Sequence, residues 1–184
     1  MSINKGISQK GTETQIKATE DGELEVRAIT ETELEHSSVR GDAYVWLSTD
    51  TDIDAGDTRL FIRNTSDKFL VLSRAVFNSS NVACKWSIGI GALTTTATGT
   101  TITAQNMNER FTNATESYEA FDDETAVADA STMFTVATPL ALDTRVVPMD
   151  GIILGKDHYI QIHQETESTS GQVSVFGHFE SELV

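Results

Sequence analysis

The chain has 184 residues, enough for one domain with a real core and a tight fit for two. Its 28 Asp and Glu outweigh 13 Lys and Arg, giving a formal net charge of −15. A field of that sign repels nucleic acid and anionic membranes; it favours solubility at high concentration or docking on a basic surface.

Thr, Ser, Val and Ile are abundant and the only prolines are Pro139 and Pro148, a composition that favours pleated strands over helices. The single cysteine, Cys84, excludes an intrachain disulfide and sits in a strand-like run as a core thiol. No apolar run approaches the ~20 residues of a membrane-spanning helix, and residues 1–6 hold no apolar signal region. Synthesis in a reducing cytoplasm is the expectation.

Residues 1–22 are polar, with Ile3, Ile7 and Ile16 as their larger apolar side chains and Lys5, Lys10 and Lys17 as a local basic set. Such a segment cannot offset its ordering entropy alone, so it reads as a tail, or as an arm that orders against a partner. Residues 23–184 read as a single β-sandwich domain.

Within that domain, Leu24, Val26 and Ala28 alternate with polar neighbours as in a strand, and 30–40 has room for one or two helical turns. Strands are expected at 44–48 and 60–64, separated by a turn rich in Asp and Gly. Residues 69–77 are apolar on both faces: Phe69, Val71, Ala75 and Phe77 on one, Leu70, Leu72 and Val76 with Arg74 on the other. That pattern predicts a strand that is central or covered on both sides. The cleanest alternation follows, with Val82, Cys84, Trp86, Ile88 and Ile90 on one face.

The Thr-rich run 94–103 reads as a solvent-facing strand. Residues 104–131 break the rhythm, as a long loop with a short helix near 122–130; loops of that length are often functional. Further strands are expected at 133–136, 140–142, 145–147, 151–155 and 159–164. After a polar turn, 165–171, a final strand places Val173, Val175, Gly177 and Phe179 on one face. About eight to ten short strands at this spacing predict an all-β fold, an antiparallel sandwich or jelly-roll-like domain with a polar N-terminal arm.

Asp50, Asp52, Asp54 and Asp57 alternate in one loop, as in loops that offer hard oxygen ligands to Ca²⁺. The EF-hand pattern fails, because Ala55 stands where Gly belongs and Phe61 where Glu belongs. A hairpin turn whose Asp side chains cap backbone N–H groups is the weightier reading. The histidines, His36, His158, His163 and His178, lack zinc-site spacing and read as surface or rim residues, with His163 and His178 able to face each other on a paired hairpin. No nucleophile elbow, phosphate loop or dinucleotide loop is present. The expectation is a non-enzymatic protein without cofactor.

The series Asp21-Gly22-Glu23-Leu24-Glu25-Val26-Arg27-Ala28, then Gly41-Asp42-Ala43-Tyr44-Val45-Trp46, then 57–66, resembles small virion proteins of tailed bacteriophages. The C-terminal 151–155 and Val175-Phe176-Gly177-His178-Phe179-Glu180 fit the same resemblance. It implies a capsid decoration (cement) protein, made in the host cytoplasm and carried on the virion surface. Such proteins are commonly homotrimers seated on the major capsid protein, with the arm bearing Lys5, Lys10 and Lys17 as a contact element. The alternative is a tail, baseplate or receptor-binding module that takes carbohydrate, for which Tyr118 and Phe121 are the aromatic candidates. A glycan-active enzyme is the third reading.

Overall fold

The structure, a computed structural model, describes residues 4–7, 13–18, 24–29, 33–48, 58–79, 83–92, 99–108, 110, 116–122, 131–138, 143–165 and 171–181. The chain begins with β1 (Asn4–Ile7), β2 (Glu13–Ala18) and β3 (Leu24–Ile29), then helix α1 (Glu33–Arg40). Next come β4 (Ala43–Leu47), β5 (Thr58–Asn64), β6 (Phe69–Ser79), β7 (Cys84–Ala92), β8 (Thr100–Thr101) and β9 (Gln105–Asn106). β10 (Tyr118–Asp122), β11 (Ser131–Thr138), β12 (Thr144–Pro148), β13 (Ile153–Leu154), β14 (His158–Gln164) and β15 (Gly171–Glu180) complete it.

Two antiparallel sheets build the sandwich. Sheet I runs β11-β7-β14-β5-β10-β8; sheet II runs β12-β6-β15-β4-β9, with β13 also on β6. Four-strand cores of β5-β14-β7-β11 and β4-β15-β6-β12 give the strand order of a jelly roll, in which most successive strands cross between sheets. The expected all-β sandwich is therefore found. The crossings separate His163 from His178: β14 lies in sheet I and β15 in sheet II, so they do not face each other on a hairpin.

The N-terminal polar segment holds two strands. β1, β2 and β3 form their own antiparallel sheet, with Asn4 opposite Ile16 and Ile16 opposite Val26. Local hydrogen bonding between consecutive strands supplies order that a polar segment cannot draw from burial. This hydrogen-bonded unit extends through Ile29.

The two-sided apolar pattern of β6 resolves into one inward face. Opposite β15, Arg74 pairs with Phe176 while Leu72 pairs with Gly177, so Ser73 is an extra residue, a β-bulge. The bulge shifts side-chain parity by one. Leu70 and Leu72 before it, and Ala75 and Phe77 after it, all point into the core and are buried. Val71 and Val76 on the other face are half-buried. Neighbouring β12 and β15 make β6 an interior strand, yet only one of its faces is fully covered.

Between the sheets, Trp86 packs on Phe77 with ring centroids 5.4 Å apart, and Trp46 meets Tyr118 edge-on at 5.6 Å. Trp86 and Cys84 are buried as expected; Val82 lies outside the described residues. Fully burying each such large apolar side chain stabilises the fold by about 1.5–3 kcal/mol. One buried polar side chain ties the sheets together: Asn64 Nδ2 donates to Leu154 O at 2.8 Å and to Lys68 O at 2.7 Å. Its Oδ1 accepts from the Ser66 N–H at 3.0 Å.

Helix α1 ends where Gly41 adopts φ 83°, a conformation glycine takes without a Cβ clash. Its Ser38 carbonyl accepts from the Gly41 N–H at 3.1 Å and from Asn108 Nδ2 at 3.1 Å. The segment expected as a long loop with a short helix, 104–131, thus supplies a helix cap as well as β9 and β10. The helix expected near 122–130 and the strand at 140–142 lie outside the described residues, apart from Asp122, the last residue of β10. Of the Thr-rich run, residues 99–103 are described, and the strand among them is Thr100–Thr101.

Candidate interaction surface

Sheet II turns one face to the core and one outward. On its outer face the registers line up rows across four strands. Val146, Val76, Ser174 and Leu47 form one row; Pro148, Arg74, Phe176 and Val45 form the next. Val146 is 60 % exposed and Leu47 38 %, both high for apolar side chains on a sheet. Arg74 lies over the Phe176 ring, 4.6 Å from its centroid. A guanidinium on an aromatic face is held by the ring's quadrupole while its edge stays free to donate. In those two rows there is no carboxylate, although the chain carries 28.

A third row, Ile153, Val71, His178 and Ala43, leads to a cleft. Leu34 of α1 forms one wall, Asp150 and Gly151 another, and Val71 to Arg74 with His178 the floor. His178 is 1 % exposed, so it is an interior residue and not the surface or rim residue its spacing suggested. Its Nε2 lies 3.1 Å from Glu180 Oε1, which fixes that nitrogen as the donor. Among the described residues Nδ1 is buried without a hydrogen-bond partner. The cleft therefore mixes the apolar Leu34 and Val71 with the polar Ser73, Arg74, Asp150 and His178.

Sheet I differs on its outer side. Phe61 and Tyr159 stack with centroids 5.1 Å apart, Phe121 follows at 6.3 Å from Phe61, and Phe61, Tyr159 and Gln161 are buried. Arg63 joins Glu119 at 3.5 Å and Asp157 at 3.7 Å on the same side.

The residues singled out in the sequence fall in several places. Tyr118 and Phe121 both lie on β10, not on a loop, and three residues apart they point to opposite faces. Tyr118 turns to the core, where its hydroxyl accepts from the Ala104 N–H at 2.7 Å; burial pushes that hydroxyl's pKa up. The pair therefore forms no single aromatic platform. Asp50, Asp52, Asp54, Asp57 and Lys10 lie outside the described residues. Lys5 is placed on β1 and Lys17 on β2, opposite Gln15 and Glu25. His158 Nδ1 meets Lys156 O at 3.0 Å and His163 Nδ1 meets Thr58 Oγ1 at 3.4 Å. Among the described residues no three His, Cys, Asp or Glu side chains gather as a metal site.

Sequence reasoning missed the outer face of sheet II and the cleft. Its signal is present only once the strand registers are known, because Val45, Val76, Val146 and Phe176 come from four separate strands. Compared with known protein families, curated proteins and solved structures, the chain matches none.

Proposed function

We propose that this chain is a non-enzymatic structural protein of a bacteriophage virion, bound to the head shell as a decoration protein. The reading starts from the resemblance of its sequence to small virion proteins. The structural observation that supports it most is the outer face of sheet II: apolar rows free of carboxylates on a chain of charge −15. Exposed apolar patches rimmed by polar residues mark protein contacts. The jelly roll is a fold that viral capsid domains use, a likeness that raises the prior without assigning the role. The partner in this reading is the major capsid protein or a neighbouring virion protein, with the N-terminal segment bearing Lys5, Lys10 and Lys17 as a second contact. The trimer implied by the resemblance belongs to the same proposal.

Imaging of virions that carry the chain, together with co-sedimentation on isolated heads, tests it. The sandwich should occupy the outer head surface. The double variant Leu47→Glu/Val146→Glu should keep its circular dichroism and lose head binding by roughly tenfold or more, since it buries charge in the contact. Density at the tail, or undiminished head binding, overturns the proposal.

The cleft at His178 favours a second reading, a tail or receptor-binding module. Its polar groups, Asp150, Arg74 and Ser73, could orient a sugar over Val71. A glycan array with wild type and Asp150→Ala separates the two: glycan binding lost in the variant supports this second reading.

A further inference from the structure

His178 stands on the outer face of β15, in the row with Val71 and Ala43, and α1 packs across β4 and β15 on that side. This cover is why an outward residue of sheet II is buried. Its Nε2–H donates to Glu180 Oε1, so in the neutral ring Nδ1 carries a lone pair and can only accept. Among the described residues nothing donates to it. Buried polar atoms are nearly always partnered, and leaving one unmet costs free energy. His178 lines the cleft, so a donor seated there would meet this need.

The cleft around it is firmly held. Ser73 is the bulged residue of β6, and bulges re-aim side chains beside functional sites. The turn that carries Asp150 is tied to the bulge. The Met149 N–H donates to Ser73 O at 2.9 Å, and the Leu72 N–H donates to Ile152 O at 3.0 Å. Arg74 is steadied over the Phe176 ring. The cleft measures about 340 Å³, at the lower end of the range for small-ligand sites.

The lining groups define an occupant by complement. His178 Nδ1 and the Asp150 carboxylate accept, while the Arg74 guanidinium donates. A ligand must then donate at two points, accept at a third and lay apolar surface on Leu34 and Val71. Hydroxyl groups both donate and accept, and a sugar ring carries several of them on a C–H frame.

We infer that His178 Nδ1 accepts a hydrogen bond from one hydroxyl of a neutral sugar ring seated in this cleft, and thereby sets which sugar the cleft takes. The assignment rests on the sugar reading of the cleft given above and deepens it by naming the buried acceptor. A site built to hydrogen-bond a hydroxyl rejects the analogue that lacks it, because the buried partner is then stranded. Asp150 and Arg74 are exposed, so solvent replaces their contacts at less cost.

The full-length chain is mixed in turn with glucose, galactose, mannose and N-acetylglucosamine, and with an array of oligosaccharides built from them. Binding is read by saturation-transfer NMR and the histidine ring nitrogens by ¹⁵N NMR. A sugar should bind and move the His178 Nδ1 resonance upfield as that atom gains a donor, with His36, His158 and His163 as references. Among deoxy analogues of the bound sugar, one missing hydroxyl should weaken binding roughly tenfold or more and abolish the shift. His178→Asn, which keeps an acceptor oxygen close to the Nδ1 position, should retain more affinity than His178→Leu. If either variant fails to fold, the deoxy series on the wild-type chain decides. Sugar binding that is lost in Asp150→Ala, with Nδ1 unshifted and every deoxy analogue bound equally, overturns the inference and leaves the sugar reading of the cleft standing. A chain that binds none of these sugars overturns both, as does a cleft that takes glycine or glutamate instead.

Discussion

Tyr118 shows how one side chain links packing to pH. Its ring stacks edge-on against Trp46 and its hydroxyl takes the buried Ala104 N–H. Burial raises its folded pKa above the ordinary ~10, so the folded state holds its proton longer than the unfolded chain does. That contribution is fully present below about pH 10 and is lost as pH rises through the folded value. Lys68, raised by its hydrogen bond to Glu116 at 2.6 Å, acts in the same direction. Tyr118→Phe should cost about 1–3 kcal/mol at neutral pH, because Ala104 loses its acceptor. Denaturant unfolding from about pH 9 to about pH 11 should then fall less steeply in the variant than in wild type. Equal slopes would refute the assignment. Gly177 is constrained by space: a Cβ there would lie 2.7 Å from the Val71 backbone oxygen. Gly177→Ala should therefore lower stability by about 1–3 kcal/mol, the cost of overpacking, and a neutral result in thermal unfolding would contradict the close approach.

At the scale of elements, the strands that alternate strictly were the legible ones. β7 and β15 place Cys84, Trp86, Ile88, Val173, Val175 and Phe179 inward as their period of two requires. β6 was legible as a strand but not as a surface, because its two-sided apolar pattern fits either cover on both faces or a bulge, and the bulge at Ser73 is defined by the partner strand. β10 was hidden for a different reason. It sits inside a polar stretch, and its aromatic residues serve two faces, Tyr118 toward Trp46 and Phe121 toward Phe61. The cleft escaped notice because its walls join α1, β6, β15 and the turn at Asp150 and Gly151, segments far apart in the chain. The absence of charge in β11 could be read directly from Ser131-Thr132-Met133-Phe134-Thr135-Val136-Ala137-Thr138; that it borders a sheet could not.

Across the whole molecule, charge and hydrogen bonding divide the chain differently. The acidic excess covers the body, while the N-terminal sheet is a separate hydrogen-bonded unit carrying Lys5 and Lys17. Removing residues 1–30 deletes all three of its strands and none of the sandwich's. The thermal midpoint should then move by less than about 4 °C, the shift that ~1 kcal/mol gives a domain of this size, while head binding weakens. Calorimetry showing a larger fall would mean that the sandwich depends on this sheet. A last consequence comes from Asn64, whose one amide holds the carbonyls of Lys68, four residues on, and Leu154, 90 residues on. The Asp157 N–H donates to the same residue's backbone oxygen at 2.8 Å. Neither the turn after β5 nor the segment between β13 and β14 can breathe alone without stranding a buried donor. That end of the jelly roll should therefore open as a single cooperative unit, its amides exchanging with solvent in one shared event.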